Sequence, residues 1–296
     1  MISNNSFERC WICGCDKLYK IKNTDISINC LDKEDFQITN SQYGKTLDLY
    51  KCKNCDFIQA IKASNLTKYY EEMIDEEYEE TRKERFLQEE YIIKQFISYG
   101  QYGKKLLDVG CGSGILLEAS KKYNFQSIGI EPSKWLFKKA IRRGLNVRCG
   151  VLEDIPNTQK FDVITLADVI EHVTNPMEIF EQIKSRLNPK GIGVLVTPNV
   201  DSLMAKILRW KWWHYRVAHV GYFSKKTIKF ALEESGYDVL SIKNTRWFFS
   251  LNYLAKRIST YLPKFIRINN IPIIGKKVIK LNLGDSIIVI FRKKNY

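Results

Sequence analysis

Short apolar segments alternate with longer segments of helical periodicity from residue 101 to the carboxyl end. The apolar segments read LLDV, QSIGI, NVRCGVL, FDVITLA and GIGVLV, and YDVLSI and DSIIVIF follow them. Apolar segments this short, without strict alternation, are typical of strands covered on both faces. The intervening segments are long enough for helices, so the pattern predicts an α/β fold with a largely parallel sheet.

The first apolar segment leads into a glycine-rich loop. The sequence LLDVGCGSG places Gly110, Gly112 and Gly114 at alternate positions, where the missing Cβ atoms let a ligand lie against the backbone. A dinucleotide loop needs a further glycine where Ile115 stands. Asp108 would repel a pyrophosphate, whereas it can balance the ammonium and sulfonium groups of S-adenosylmethionine. The loop therefore favours a cationic cofactor.

Acidic residues follow the next three predicted strands. Glu131 ends the second strand, about 20 residues downstream, where an acid accepts hydrogen bonds from a ribose diol. Asp154 follows the third strand beside Ile155, a pair suited to an adenine amino group and ring. Asp168 ends the fourth strand. Acidic residues at successive strand ends are a more specific indication of this cofactor site than the glycine loop alone.

These segments together resemble the class I S-adenosylmethionine-dependent methyltransferases. The resemblance rests on LLDVGCGSG, GIEPS, LEDIP, LADVIEHV and LNPKGIGVLVTPN and covers about residues 65 to 296. It implies a Rossmann-like sheet of seven strands with the last strand antiparallel. The cofactor contacts expected are Asp108, Gly110, Cys111, Gly112, Gly114, Glu131, Pro132, Glu153, Asp154, Ile155 and Ala167.

Four cysteines in two pairs mark residues 1–62. Cys10 and Cys13 form one C-x-x-C turn, and Cys52 and Cys55 form another. Two such turns that face each other make a tetrahedral four-thiolate zinc site, and a site with four protein ligands is structural. We expect a small zinc-ribbon-like knob, like the zinc-binding segments that precede some sugar methyltransferase domains.

The segment 63–100 has a composition rich in Glu, Lys, Arg and Tyr and predicts one or two helices before the methyltransferase domain at 101–296. Several of its residues are spaced to share one helix face: Tyr69, Tyr70, Tyr78, Arg82 and Arg85. This face could close over the cofactor as a lid, with an arginine pairing the cofactor carboxylate. A solvated linker with charge pairs along the helix explains the same pattern.

Methyl transfer to a hydroxyl needs a base, and three histidines are available. His172 and His219 are the preferred candidates, with Asp168 beside them, and His214 is the third. In an alternative interpretation, Asp168, Glu171 and His172 bind a divalent metal ion, as comparable residues do in some quinone-pathway methyltransferases.

A basic composition indicates an anionic acceptor or partner. The chain of 296 residues has a net charge of +14, and residues 245–284 form a basic insertion between the last two predicted strands. We expect this insertion to form the acceptor side of the site with Trp212, Trp213 and His219, or to contact an acidic membrane surface.

The expected activity is O-methylation of a small polar acceptor, such as an activated, phosphorylated or lipid-linked sugar in surface-polysaccharide biosynthesis. RNA methylation and O-methylation of a quinone precursor are the enzymatic alternatives, and a non-enzymatic zinc-ribbon binding module is the least favoured. The amino-terminal residues lack an apolar signal, and no segment approaches about 20 apolar residues. We expect a cytoplasmic protein, peripheral to the inner membrane face at most, without an obligate protein partner.

Overall fold

The structure is a computed structural model that describes residues 9–27, 30–61, 66–99, 103–262 and 274–294. Its amino-terminal part contains three antiparallel strands followed by three helices. The strands are β1 (Leu18–Lys22), β2 (Leu49–Cys52) and β3 (Ile58–Ala60). The helices are α1 (Thr67–Glu72), α2 (Glu76–Glu80) and α3 (Arg82–Phe96). The helices lie within the segment that the sequence predicts as helical.

Five strands and three helices follow in alternation, except that only a short helical turn, Leu152–Asp154, lies between the third and fourth of these strands. The strands are β4 (Lys105–Val109), β5 (Gln126–Glu131), β6 (Val147–Cys149), β7 (Phe161–Ala167) and β8 (Leu187–Pro198). The helices are α4 (Ile115–Ser120), α5 (Lys134–Arg142) and α6 (Pro176–Arg186). Asn175 caps α6 by accepting a hydrogen bond from the Glu178 amide, and Pro176 occupies the first turn, where no backbone donor is needed.

The carboxyl-terminal part completes the main sheet and adds a separate sheet of two strands. Its elements are α7 (Leu203–Leu208), β9 (Gly221–Tyr222), α8 (Lys225–Glu234), β10 (Tyr237–Asn244), β11 (Trp247–Ser250), α9 (Leu251–Ser259), β12 (Val278–Leu281) and β13 (Ser286–Lys293). The insertion contributes β11, α9 and β12, and β11 pairs with β12 antiparallel. Lys264 and its neighbours lie outside the described residues.

The main sheet has seven strands in the order β10-β13-β8-β7-β4-β5-β6. The strands β4 to β8 are mutually parallel, and β13 runs antiparallel to both β8 and β10. This confirms the Rossmann-like sheet with an antiparallel last strand. Parallel neighbours place the carboxyl ends of β4, β5 and β7 at one edge of the sheet, where the predicted acidic residues collect.

The amino-terminal sheet takes its fourth strand from a distant part of the chain. The two-residue strand β9 pairs with β3 antiparallel, so the order is β1-β2-β3-β9. The Ala60 amide also donates to the Val220 carbonyl oxygen, 2.7 Å away. The predicted knob is therefore joined by hydrogen bonds to the segment that follows β8 and α7.

Candidate active site at the carboxyl edge of the sheet

The loop between β4 and α4 depends on its glycines. Gly110, Gly112 and Gly114 have φ values of 66°, 55° and 78°, which side chains with a Cβ rarely adopt. A Cβ at Gly112 would lie 2.5 Å from the Tyr78 hydroxyl oxygen. A Cβ at Gly110 would lie 2.7 Å from a methyl group of Val169. The loop is thus closely covered by α2 on one side and by the segment after β7 on the other.

Two buried carboxylates lie beside this loop. Glu131 accepts hydrogen bonds from the amides of Gly112 and Ser133, each at 2.8 Å. Asp108 accepts from the Thr165 hydroxyl at 2.6 Å. Burial raises the pKa of Asp108 and that of Glu131 to about 7, against the effect of these donors.

This donor set fits S-adenosylmethionine. In the described part of the chain no basic side chain forms an ion pair with Asp108 or Glu131. Buried carboxylates without a cationic partner are costly, and a ligand with a positive charge and a diol would relieve that cost. The glycine loop supplies backbone against which such a ligand can lie.

The remaining predicted cofactor residues occupy varied positions. Asp154 is exposed and accepts a hydrogen bond from the Val151 amide at 2.9 Å, which caps its own short helical turn. Glu153 is exposed and accepts from the Gln182 side chain at 2.7 Å. Ile155 is fully buried in the core below this turn. Cys111 is buried, and Pro132 and Ala167 are half-buried.

Two arginines on α3 have different surroundings. Arg82 donates to the Ser113 hydroxyl at 2.7 Å and forms an ion pair with Glu118, so it ties α3 to the glycine loop and α4. Arg85 stacks over the Tyr78 ring at 4.1 Å and has no carboxylate partner among the described residues. Arg85 is therefore better placed than Arg82 to bind a ligand carboxylate.

Sequence reasoning placed Arg82 and Arg85 on one face but missed Glu89, a neighbour of Arg85. Burial, together with Asp108 and Asp168, raises the pKa of Glu89 well above its usual value, and Arg85 opposes that rise. These residues therefore share one neighbourhood at the edge of the sheet. The spacing of Arg82, Arg85 and Glu89 on α3 places them on one helix face, and this signal was present in the sequence.

The two predicted catalytic histidines lie side by side in the structure: His172 follows β7, and His219 precedes β9. The Nδ1 atom of His172 lies 2.6 Å from the Tyr70 hydroxyl and 2.8 Å from the Ala218 carbonyl oxygen. His219 packs edge-on against His172 with ring centroids 4.7 Å apart, and its Nδ1 has no partner among the described residues. Burial lowers the pKa of His172 to about 4 and lowers that of His219 as well. Both imidazoles are therefore neutral near pH 7.

His214 lies beside a buried carboxylate that the sequence did not single out. Asp285 precedes β13, is 2% exposed, and accepts a hydrogen bond from the Trp213 indole at 2.8 Å. The same oxygen lies 3.4 Å from Nε2 of His214. Burial raises the pKa of Asp168 to about 6, and His214 is the first of the groups that oppose this rise. His214 and Asp285 are thus in contact, and Asp168 lies within electrostatic range of both.

A second cluster contains Glu171, His172 and His219, whose ligand atoms all lie within 4.8 Å of one another. One oxygen of Glu171, like Nδ1 of His219, is buried without a partner among the described residues. The other oxygen accepts from the Thr197 hydroxyl at 3.0 Å. His219, rather than Asp168, completes this candidate metal cluster.

Residues of the basic insertion and the segment after α7 border these clusters. Arg257 and Lys256 form ion pairs with Glu77 of α2 at 2.9 and 2.7 Å. Arg216 donates to the carbonyl oxygens of Gln37 and Ile38 and has no carboxylate partner among the described residues. Trp212, expected on the acceptor side, is instead fully buried in the core.

The four cysteine sulfur atoms converge as the paired turns predict. Sγ of Cys10 lies 3.5 Å from that of Cys55, and Sγ of Cys13 lies 3.6 Å from that of Cys52; all four lie within 4.8 Å of one another. A tetrahedral zinc with Zn–S bonds of about 2.3 Å needs sulfur atoms about 3.8 Å apart. The four residues therefore fit zinc.

Both cysteine turns place a residue at positive φ immediately after the second cysteine. Gly14 has φ 67° and Asp56 has φ 68°. The Gly14 amide donates to the Cys10 carbonyl oxygen at 2.9 Å, and the Asn54 amide lies 3.4 Å from Sγ of Cys52. The backbone thus folds tightly around the sulfur atoms.

The sheet order, the glycine loop and the buried acids define a class I S-adenosylmethionine-dependent methyltransferase. A family model described as "Methyltransferase domain" matches residues 78–242, more than half of the chain, and the protein belongs to that family. In the part of the chain that the structure describes, no helix is long and apolar enough to cross a membrane.

Individual relatives agree with this assignment. A ubiquinone biosynthesis O-methyltransferase from Haemophilus ducreyi is 38% identical over 112 residues, which are 34% of this chain and 48% of that protein. The chain thus spans about half the length of this curated relative. A solved SAM-dependent methyltransferase from Archaeoglobus fulgidus has a TM-score of 0.50 and 21% identity, covering 74% of this chain and 100% of that one. A Pyrococcus horikoshii protein has a TM-score of 0.52 and 14% identity, covering 75% and 100%. These structures share the fold.

Proposed function

We propose that the protein transfers a methyl group from S-adenosylmethionine to a hydroxyl of a small, polar, anionic acceptor. The observation that carries the proposal is the contact of His214 with the buried Asp285, 3.4 Å apart, which combines a base with a buried acid. The word O-methyltransferase in the names of the relatives supports a hydroxyl acceptor.

S-adenosylmethionine, when bound, supplies an electrophilic methyl group, and alignment of the acceptor provides much of the rate. Asp108 and Glu131 would hold the cofactor, and Arg85 would bind its carboxylate. His214 would take the acceptor proton on Nδ1 while Nε2 faces Asp285. Asp285 would fix the tautomer and stabilise the imidazolium, as the acid of a catalytic triad does.

The charges around the site favour an acceptor with a phosphate group. Arg216 carries a guanidinium without a carboxylate partner among the described residues, next to Tyr70 and Tyr43. Burial raises the pKa of Tyr43, so its hydroxyl stays protonated and can donate a hydrogen bond, whereas the Tyr70 hydroxyl is already engaged by His172 and Ala218. An activated, phosphorylated or lipid-linked sugar offers the anion and the hydroxyl together.

The experiment measures S-adenosylhomocysteine formation with nucleotide sugars, sugar phosphates, polyprenyl-linked sugars and a polyprenyl catechol. With an accepted substrate, His214→Asn should lower kcat by about 10²- to 10⁴-fold and leave the Kd of S-adenosylmethionine unchanged. Asp285→Asn should lower kcat less and shift its pH profile. His172→Asn and His219→Asn are matched controls. Full activity of His214→Asn, or a greater loss in either control, would refute the assignment of the base.

A quinone precursor is the second candidate acceptor. The cluster of Glu171, His172 and His219 supports it, since a divalent metal held there would lower the pKa of a catechol hydroxyl. The names of the relatives support the same substrate class. Activity toward the polyprenyl catechol that EDTA abolishes and magnesium restores would favour this candidate over a sugar.

A further inference from the structure

The helix α7 and the turn after it expose large apolar side chains to solvent. Leu203 is 70% exposed, Ile207 63% and Trp210 40%, and the first two are the most exposed large hydrophobic residues of the described chain. The spacing of four residues places Leu203 and Ile207 on one face of α7. Trp210 lies in the short turn after the helix, beyond Arg209, whose φ is 49°. The opposite face carries Ala205, which is buried against the core around Trp212. The helix is therefore held in place with its apolar face outward.

Cationic residues lie between and beside these apolar residues. Lys206, Arg209 and Lys211 are all exposed, and none of them forms an ion pair within the ranges that the structure describes. The exposed acid nearest in sequence is Asp201, before the helix begins. Lys22 extends over the Trp210 ring at 5.9 Å from its centroid. Lys22 itself pairs with Asp25, so the surface combines apolar contact area with three cations that form no ion pair among the described residues.

The same surface continues onto the basic insertion. The Tyr261 hydroxyl donates to the Lys211 carbonyl oxygen at 2.9 Å, which joins the end of α9 to the turn after α7. Tyr261 is itself exposed, as is Ile258 on α9. We call this surface, made of Leu203, Lys206, Ile207, Arg209, Trp210, Lys211, Ile258 and Tyr261, the α7 face.

We infer that the α7 face docks on an anionic phospholipid bilayer. Apolar side chains that project from a helix can enter the boundary between headgroups and acyl chains, and tryptophan and tyrosine favour that boundary. Each basic residue near an anionic surface strengthens the binding severalfold. A protein partner would need acids to match the three cations, whereas anionic lipids supply negative charge at every point.

The position of the α7 face links docking to the reaction, a step that rests on the proposed function. The helix α7 ends at Leu208, and the short turn after it leads directly to Trp213 and His214. A docked protein would therefore hold its acceptor side near the lipid surface. An acceptor carried on a polyprenyl chain could then reach His214 without leaving the bilayer.

The test is cosedimentation of the full-length protein with vesicles of phosphatidylcholine alone or mixed with phosphatidylglycerol. We expect binding to the mixed vesicles that falls with added salt. The double variant Leu203→Glu, Ile207→Glu should bind at least tenfold more weakly. Replacing Lys206, Arg209 and Lys211 by Gln should weaken binding by a similar factor. Ile141→Glu on α5, at a residue 45% exposed elsewhere on the surface, is the matched control and should bind like the unmodified protein.

Two outcomes would overturn the inference. One is the absence of binding to mixed vesicles, or binding that the double variant retains. The other is a dimer, seen by sedimentation velocity, that the double variant dissociates without any vesicle binding, since the face would then belong to a second copy. Titration of each variant with S-adenosylmethionine checks its fold. If the unmodified protein does not bind S-adenosylmethionine, that result refutes the proposed function rather than this inference.

Discussion

The cofactor side and the proposed acceptor side of this protein are built in different ways. The cofactor side consists of consecutive strand ends, from Asp108 on β4 through Glu131 on β5 to the turn after β6. The acceptor side brings together α1, the turn after β7, the segment 209–220, the insertion and Asp285. Local sequence thus specifies the cofactor side, and contacts between distant segments specify the acceptor side. The two sides should respond differently to the same perturbation.

Loss of zinc should produce the largest difference between the two sides. Cys52→Ser removes one of four thiolates, and structural zinc contributes about 10 to 16 kcal/mol of apparent binding energy in small domains. We expect loss of one bound zinc per chain, disruption of the amino-terminal sheet, and loss of methyl transfer with cofactor affinity kept within a few fold.

Elemental analysis, circular dichroism and calorimetric titration measure these effects. Cys30→Ser is the control, because Cys30 is exposed and lies outside the sulfur cluster. Retention of zinc by Cys52→Ser would contradict the four-thiolate assignment. Equal loss of cofactor binding would contradict the independence of the two sides.

The cofactor side should depend on its buried acids. Asp108→Ala and Glu131→Ala should each weaken S-adenosylmethionine binding at least about tenfold, because a charge-assisted hydrogen bond is worth about 1.5 to 3 kcal/mol. Calorimetry measures the Kd. The control Asp238→Ala removes an exposed acid that pairs with Arg292 at 3.7 Å and should leave the Kd unchanged. Unchanged affinity in both test variants would mean that the glycine loop binds something else.

The same acids predict a pH dependence. Burial raises the pKa of Asp108 and of Glu131 to about 7 in the cofactor-free protein. Such groups stabilise the fold below their unfolded pKa of about 4 and lose that contribution as the pH rises through about 7. The cationic cofactor prefers the ionised acids, so its affinity should increase about tenfold between about pH 6 and about pH 8.

Titration calorimetry across this range tests the expected slope, and thermal melting should show a larger stabilisation by cofactor at the higher pH. Asp108→Asn should flatten the profile. A profile that is already flat in the unmodified protein would show that the acids are ionised before the cofactor binds.

The smallest expected effect is a difference in cofactor affinity between variants of Arg82 and Arg85, two neighbouring arginines on α3. Arg85→Gln should weaken cofactor binding severalfold, because its guanidinium has no carboxylate partner among the described residues. Arg82→Gln should reduce thermal stability with less effect on the Kd, since Arg82 pairs with Glu118 and Ser113. The reverse order of Kd changes would restore the role first expected for Arg82.

The difference between the two sides explains what could be read from the sequence. The strands β4 to β8 and the paired cysteines were predictable because each is a contiguous pattern. His214 and Asp285 were not connected, because they lie on separate segments that meet only in the folded protein. Trp212 was misplaced because an aromatic residue in a basic segment can face either solvent or the core, and here the core around β9 encloses it.

The pairing of β9 with β3 also sets an order for folding. The amino-terminal segment leaves the ribosome first, yet its sheet lacks the β9 edge until residues 221–222 have been synthesised. During that interval β3 presents unpaired backbone groups, which can pair with another chain. Early capture of zinc would hold the two cysteine turns together while the rest of the chain is made. The exposed edge of β3, however, is covered only when β9 pairs with it.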